Sequence, residues 1–211
     1  FGLFDRICKL SALITSSSII DNIKVDFKYS NLNYIENPFT GFNNEESLFK
    51  VNSKNDLFLI IFDTLFNFII NHEIGHFYHN HGERSSNKLF DDIINHNKIS
   101  KEEAIQSHAR ELIADNYAFW RILTNVENLL ENNKTIEFTM LHQVNKEISS
   151  AYLTIFVLTC YFQMMDGNNI VKDHFESTHP LSIFRMKSIF SAYLESNWDN
   201  KDKYNIMQMT L

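Results

Sequence analysis

Residues 56–81 read DLFLIIFDTLFNFIINHEIGHFYHNH, and the reading of this stretch decides the fold. Ile61, Leu65 and Phe68 recur at helical spacing, and His72 continues the same line. Asp56 stands where a helix cap belongs and Gly82 where a helix ends, which predicts a helix running to about His81. His72 and His76 are one turn apart and project from one face, so two neutral imidazoles can reach a single ion. Glu73 sits about 100° round the helix from His72, close enough to touch a water on that ion without ligating it. Chance alone produces this pattern of histidines and glutamate in roughly a few per cent of such chains, so context carries more weight. Two histidines and a carboxylate ending a strongly apolar helix are costly unless something satisfies them. A metal ion does so directly.

At 211 residues the chain suits a single domain spanning 1–211 with a core of its own. Hydrophobic residues make up 44% and charged residues 21%, as in ordinary globular proteins. A net charge of -7 with no Lys/Arg cluster speaks against a nucleic-acid partner. Cys8 and Cys160 form no disulfide framework, so a reducing compartment, the cytoplasm, is expected, with peripheral membrane association left open. The apolar runs at 57–70 and 152–165 fall short of the roughly 20 residues that a bilayer requires, which predicts core helices and no membrane span. A first residue of Phe1 suggests a fragment or processed part of a longer chain.

Glycine and proline are scarce, which favours long helices. Helices are expected at 3–18, 56–81, 101–124, 135–165 and 181–196. Residues 23–51 alternate and carry turn residues, which predicts two or three short strands. Ser100 followed by Glu103 forms a capping box for the third helix. The expected fold class is α+β, mostly α: a small N-terminal β-sheet and a helical core.

A catalytic zinc needs a third protein ligand and an open position. A third histidine ten residues after the first is excluded, because position 82 is glycine; His79 and His81 are out of helical phase with His72 and His76. The capped helix contains HARELIADNYA (108–118). Glu111 is the expected third ligand, and Asp115, one turn on, would accept the free N–H of a ligating imidazole. Ala114 is small enough to let this helix approach the first. His108 and His96 are expected at the surface, Phe77 and Tyr78 in packing contacts, and the loop histidine His174 in solvent.

Taken in order, HEIGHFYHNH, ELIAD and STHPLSIFR (177–185) resemble a gluzincin family, the one that contains type I CAAX prenyl proteases and the heat-shock protease HtpX. His81 matches a further histidine found there nine residues after the first. The phage-exclusion protease Lit has a similar layout without membrane helices. The resemblance implies a zincin-like fold and a Zn2+-dependent endopeptidase acting on protein or peptide substrates. It also implies that His179 lies near the active site, helping to hold substrate or the oxyanion, and that Arg185 anchors that segment. On this reading zinc on His72, His76 and Glu111 acidifies a water, and Glu73 takes its proton and hands it to the leaving amine. Two alternatives stand beside it: a regulatory gluzincin of the ImmA/IrrE type that inactivates a repressor, and an inactive zincin kept as a binding module.

Overall fold

Glycine-poor sequence and long apolar periodicity produce five helices among the described residues. A computed structural model describes residues 2–16, 49–51, 54–80, 100–132, 136–138, 146–166 and 179–197. In chain order the elements are α1 (Gly2–Ser16), β1 (Phe49–Val51), α2 (Lys54–Tyr78), α3 (Lys101–Asn132), β2 (Ile136–Phe138), α4 (Lys146–Asp166) and α5 (Ser182–Ser196).

The α+β expectation with a small N-terminal β-sheet is corrected: the described residues are overwhelmingly helical. The ladder among them is a three-residue antiparallel pair, with Phe49 opposite Phe138 and Val51 opposite Ile136. Its second strand comes from beyond α3, inside a stretch expected to be helix. The β-branched Ile136 and aromatic Phe138 favour an extended chain once a partner strand is present. The other strands expected within 23–48 lie outside the described residues.

α2 is the axis of the packing, touching α1, α3 and α4, and its contact with α3 is the most extensive between any two elements described. Its inner face buries Leu57, Ile60, Ile61, Leu65 and Phe68, and His72 continues that face. Against it pack Ile7, Leu10 and Ile14 of α1, Phe119 and Ile122 of α3, and Phe162 of α4. Phe68 meets Tyr161 and Phe162 edge to face, at 5.9 Å and 5.7 Å between ring centroids. Buried hydroxyls inside the helices are satisfied locally: Thr64 Oγ1 donates to the Ile60 carbonyl at 2.7 Å. By length and composition α2 could cross a membrane, but the central helix of a packed core meets the same criteria.

The termini follow from identifiable residues. Ser100 Oγ accepts the Glu103 N–H at 3.1 Å, the N-terminal half of a capping box. Asp56 lies inside the first turn of α2 rather than capping it, where a carboxylate complements the exposed N–H groups. α2 stops before Gly82: Asn80 takes φ 54°, and its N–H donates to the Phe77 carbonyl at 3.1 Å. Asparagine tolerates this left-handed conformation better than other residues with a side chain, so it closes the helix.

Candidate metal centre

The α2–α3 crossing is a backbone contact. A Cβ built on Gly75 would stand 3.1 Å from Ala114 Cα, 3.3 Å from its carbonyl oxygen and 3.3 Å from a Tyr117 ring carbon. A side chain at 75 would push the helices apart. With glycine there, the imidazoles three residues before it and one residue after it reach α3.

His72 Nε2 lies 3.1 Å from His76 Nε2. Glu111 spans the pair, with Oε2 at 3.4 Å from His72 Nε2 and Oε1 at 3.4 Å from His76 Nε2. One donor atom from each residue falls within 4.8 Å of the others, so the group could hold a metal ion. For metal–ligand bonds of about 2.0–2.1 Å, neighbouring corners of a tetrahedron stand about 3.3–3.4 Å apart. The two histidine–glutamate separations match those edges, and the 3.1 Å between the imidazole nitrogens is a few tenths of an ångström shorter. Two imidazole nitrogens and a carboxylate are donors that suit a divalent transition metal.

Asp115, fully buried, places Oδ1 at 2.9 Å from His72 Nδ1. The oxygen lies off the axis of the ring N–H, so the contact is a close ion-pair approach rather than a straight hydrogen bond. Arg185 grips the same carboxylate: its Nε donates to Oδ2 at 2.6 Å and its Nη2 to Oδ1 at 2.5 Å. Nη2 is also 3.9 Å from Glu111 Oε2. His179 is largely exposed and puts Nε2 at 3.9 Å from Glu111 Oε1. Glu73, beside His72 on α2, is exposed.

Electrostatics tie the cluster together. Burial would depress the His72 pKa, but contacts with Asp115 and Glu111 overcome it and raise the value to about 9. The 3.1 Å approach of the two ring nitrogens is that of an N–H donor to a ring-nitrogen acceptor, with the tautomers setting which is which. Burial likewise opposes ionisation of Glu111, yet His72, His179 and Arg185 bring its pKa down to about 2. Arg185 pays a desolvation penalty that its contacts to Asp115 outweigh, and its pKa is raised.

The structure thus brings together His72, His76, Glu111, Asp115, Arg185 and, at the rim, His179. His79 is past the end of α2, edge-on to Tyr117 at 6.0 Å. His81, His96 and His174 lie outside the described residues. Two expectations are corrected, for His108 and Phe77. His108 is buried, because α3 turns that face inward one turn before Glu111. Phe77 is 85% exposed rather than packed, whereas Tyr78, though 68% exposed, does make a packing contact, stacking on the Tyr117 ring of α3 at 5.4 Å between centroids. Sequence reasoning also passed over Gly75, whose signal is a glycine between the two histidines facing a small residue on the partner helix.

A family model, peptidase U49, matches residues 15–204. The chain belongs to the peptidase U49 family. That is a family of Lit-like proteases, and the match covers every residue of the cluster. A member of peptidase U49 acts on a protein or peptide. The narrower resemblance to CAAX prenyl proteases and HtpX is not part of this match. No curated protein and no solved structure matches the chain.

Proposed function

We propose that this peptidase is a zinc-dependent endopeptidase and that the cluster on α2 and α3 is its active site. The observation that carries the reading is the tetrahedral spacing of the His72, His76 and Glu111 donors inside a chain of a peptidase family. His72, His76 and Glu111 would hold the ion. When bound, a zinc ion supplies Lewis acidity, which acidifies water and polarises a carbonyl.

The remaining chemistry belongs to the protein. Glu73 is the base that accepts a proton from the attacking water and delivers it to the leaving amine nitrogen. Its exposure suits this work, since substrate and water must both reach it. Asp115 fixes the tautomer of His72 by accepting a hydrogen bond from its Nδ1–H, which keeps Nε2 turned toward Glu111 and His76. His179, at the exposed rim, donates a hydrogen bond to the carbonyl oxygen as charge develops on it. Phe77, exposed one turn beyond Glu73, leaves the approach to that carboxylate apolar.

Glu73→Gln tests the reading. The variant should keep the metal content of the wild type and lose cleavage in a proteome-wide screen. Full cleavage by Glu73→Gln would end the proposal, as would a wild-type chain that takes up no divalent ion.

A further inference from the structure

Arg185 lies in the first turns of α5, four residues after Leu181 and six after His179. Its guanidinium is shared among three helices. From α5 it takes both oxygens of Asp115 on α3, and it lies over the Phe162 ring of α4 with its central carbon 4.4 Å from the ring centroid. Phe162 holds α5 a second time, since its carbonyl accepts the Ser182 Oγ hydrogen bond at 2.7 Å. Asp115 Oδ1 is the oxygen that faces both Nη2 of Arg185 and Nδ1 of His72. One guanidinium therefore orients the carboxylate behind a candidate ligand and pins the helix that follows His179.

We propose that Arg185, seated on Phe162, is a positioning residue that couples the ion-binding cluster to His179. It touches neither substrate nor ion. Through Asp115 it sets the ring of His72; through α5 it sets the distance of His179 from Glu111. The planar fork is required, because two parallel N–H donors fix the rotation of a carboxylate where a lysine ammonium makes a single point contact. The ring beneath fixes the plane of the fork. The inference rests on the metal reading of the site.

The test uses the full chain with Zn2+ and Co2+ as probes. Arg185→Lys keeps a cation beside Asp115, which alanine would leave buried without a counter-charge. It should weaken Zn2+ binding by about 10–100-fold, as loss of a group that orients a ligand does. It should also alter the visible absorption of the Co2+-loaded chain. Ser188→Ala is the control. It removes another α3–α5 contact, the 2.8 Å hydrogen bond from Asn116 Nδ2, without touching the guanidinium. Its Zn2+ affinity should stay within about twofold of wild type.

Coupling to His179 is read from kcat in a double-mutant cycle. His179→Ala should slow cleavage markedly in the wild-type background and by less than about twofold in the Arg185→Lys background. If Arg185→Lys loses its helical circular dichroism, Phe162→Leu takes its place, since it removes the platform and leaves both ion contacts. It should cost several-fold in Zn2+ affinity, about the lower end of that range.

Wild-type affinity and an unchanged Co2+ spectrum in Arg185→Lys, or in Phe162→Leu where that variant stands in, would overturn the proposal. So would an equal affinity loss in Ser188→Ala, or multiplicative effects in the cycle. A loaded wild type with unaffected variants removes only this inference, whereas a wild type that binds neither ion removes the metal reading with it.

Discussion

The two halves of α2 share one inward face and are stabilised in different ways. From Leu57 to Phe68 that face is hydrocarbon, buried against α1, α3 and α4. From His72 to His76 the same face continues with imidazoles and a glycine, closed off by Glu111, Asp115 and Arg185. The first half is held by apolar burial, which is non-directional and tolerates small shifts. The second is held by charges that must each find a partner at a set distance, because an isolated buried charge is severely penalised. A fold nucleated by the first half can present the second as a preset cluster.

This contrast can be broken from either side. Leu65→Ala should cost about 2–5 kcal/mol of unfolding free energy, read from urea melts, and leave one ion per folded chain. Glu111→Ala should do the reverse to the ion, taking bound metal by elemental analysis from one per chain to none while helical content persists. If Leu65→Ala emptied the site or Glu111→Ala left it filled, the halves would not be separable in this way.

Gly75→Ala strikes the boundary between them. The added methyl meets the Ala114 backbone, which cannot swing aside as a side chain could. Overpacking of this kind should cost about 1–3 kcal/mol. Metal affinity should fall as well, because the displaced helix carries both imidazoles, and competition against a chelator reads that loss.

The pH dependence of the chelator-treated chain sharpens the comparison further. The His72 pKa is raised, so its contribution is complete below pH 6.5 and drains away as pH rises toward about 9. The Glu111 pKa is lowered, so its contribution is complete above pH 4.5 and drains away as pH falls toward about 2. Urea midpoints should form a plateau between pH 4.5 and 6.5 with a decline on both flanks, and Glu111→Gln should flatten the acid flank. The smallest effect belongs to Ser100→Ala, which removes an exposed cap of α3 far from either half. About 1 kcal/mol of stability should go, with metal affinity unaltered.

Much of the helical frame was legible because its signals are local. The period of 3.6 in 57–72 and the Ser100–Glu103 pair each lie within a few turns of what they specify. The pairing of His72 and His76 was legible for the same reason. Other features depend on distant partners. The strand at 136–138 is extended because residues 49–51 lie beside it, and no pattern within KTIEF announces that neighbour. α3 was expected to end near 124 but continues to Asn132, since Val126 still packs into the core past that point. The resemblance implied that Arg185 would anchor its own segment. Its grip on both oxygens of Asp115 and its seat on Phe162 are products of three helices meeting, which a linear reading cannot reach.

The left-handed turn at Asn80 has a consequence for affinity. By halting α2 two residues after His76, at Tyr78, it sets the carbonyl end of the helix within one turn of that histidine, where the Gly75 and Phe77 carbonyls accept the His79 and Asn80 N–H groups. The aligned peptide dipoles of the helix sum to about half a negative charge at that end, and such a terminus favours a nearby cation by about 0.3–1 kcal/mol. The backbone of α2 therefore biases this corner of the molecule toward positive charge before any side chain is counted, and extending the helix past residue 80 would carry that bias away.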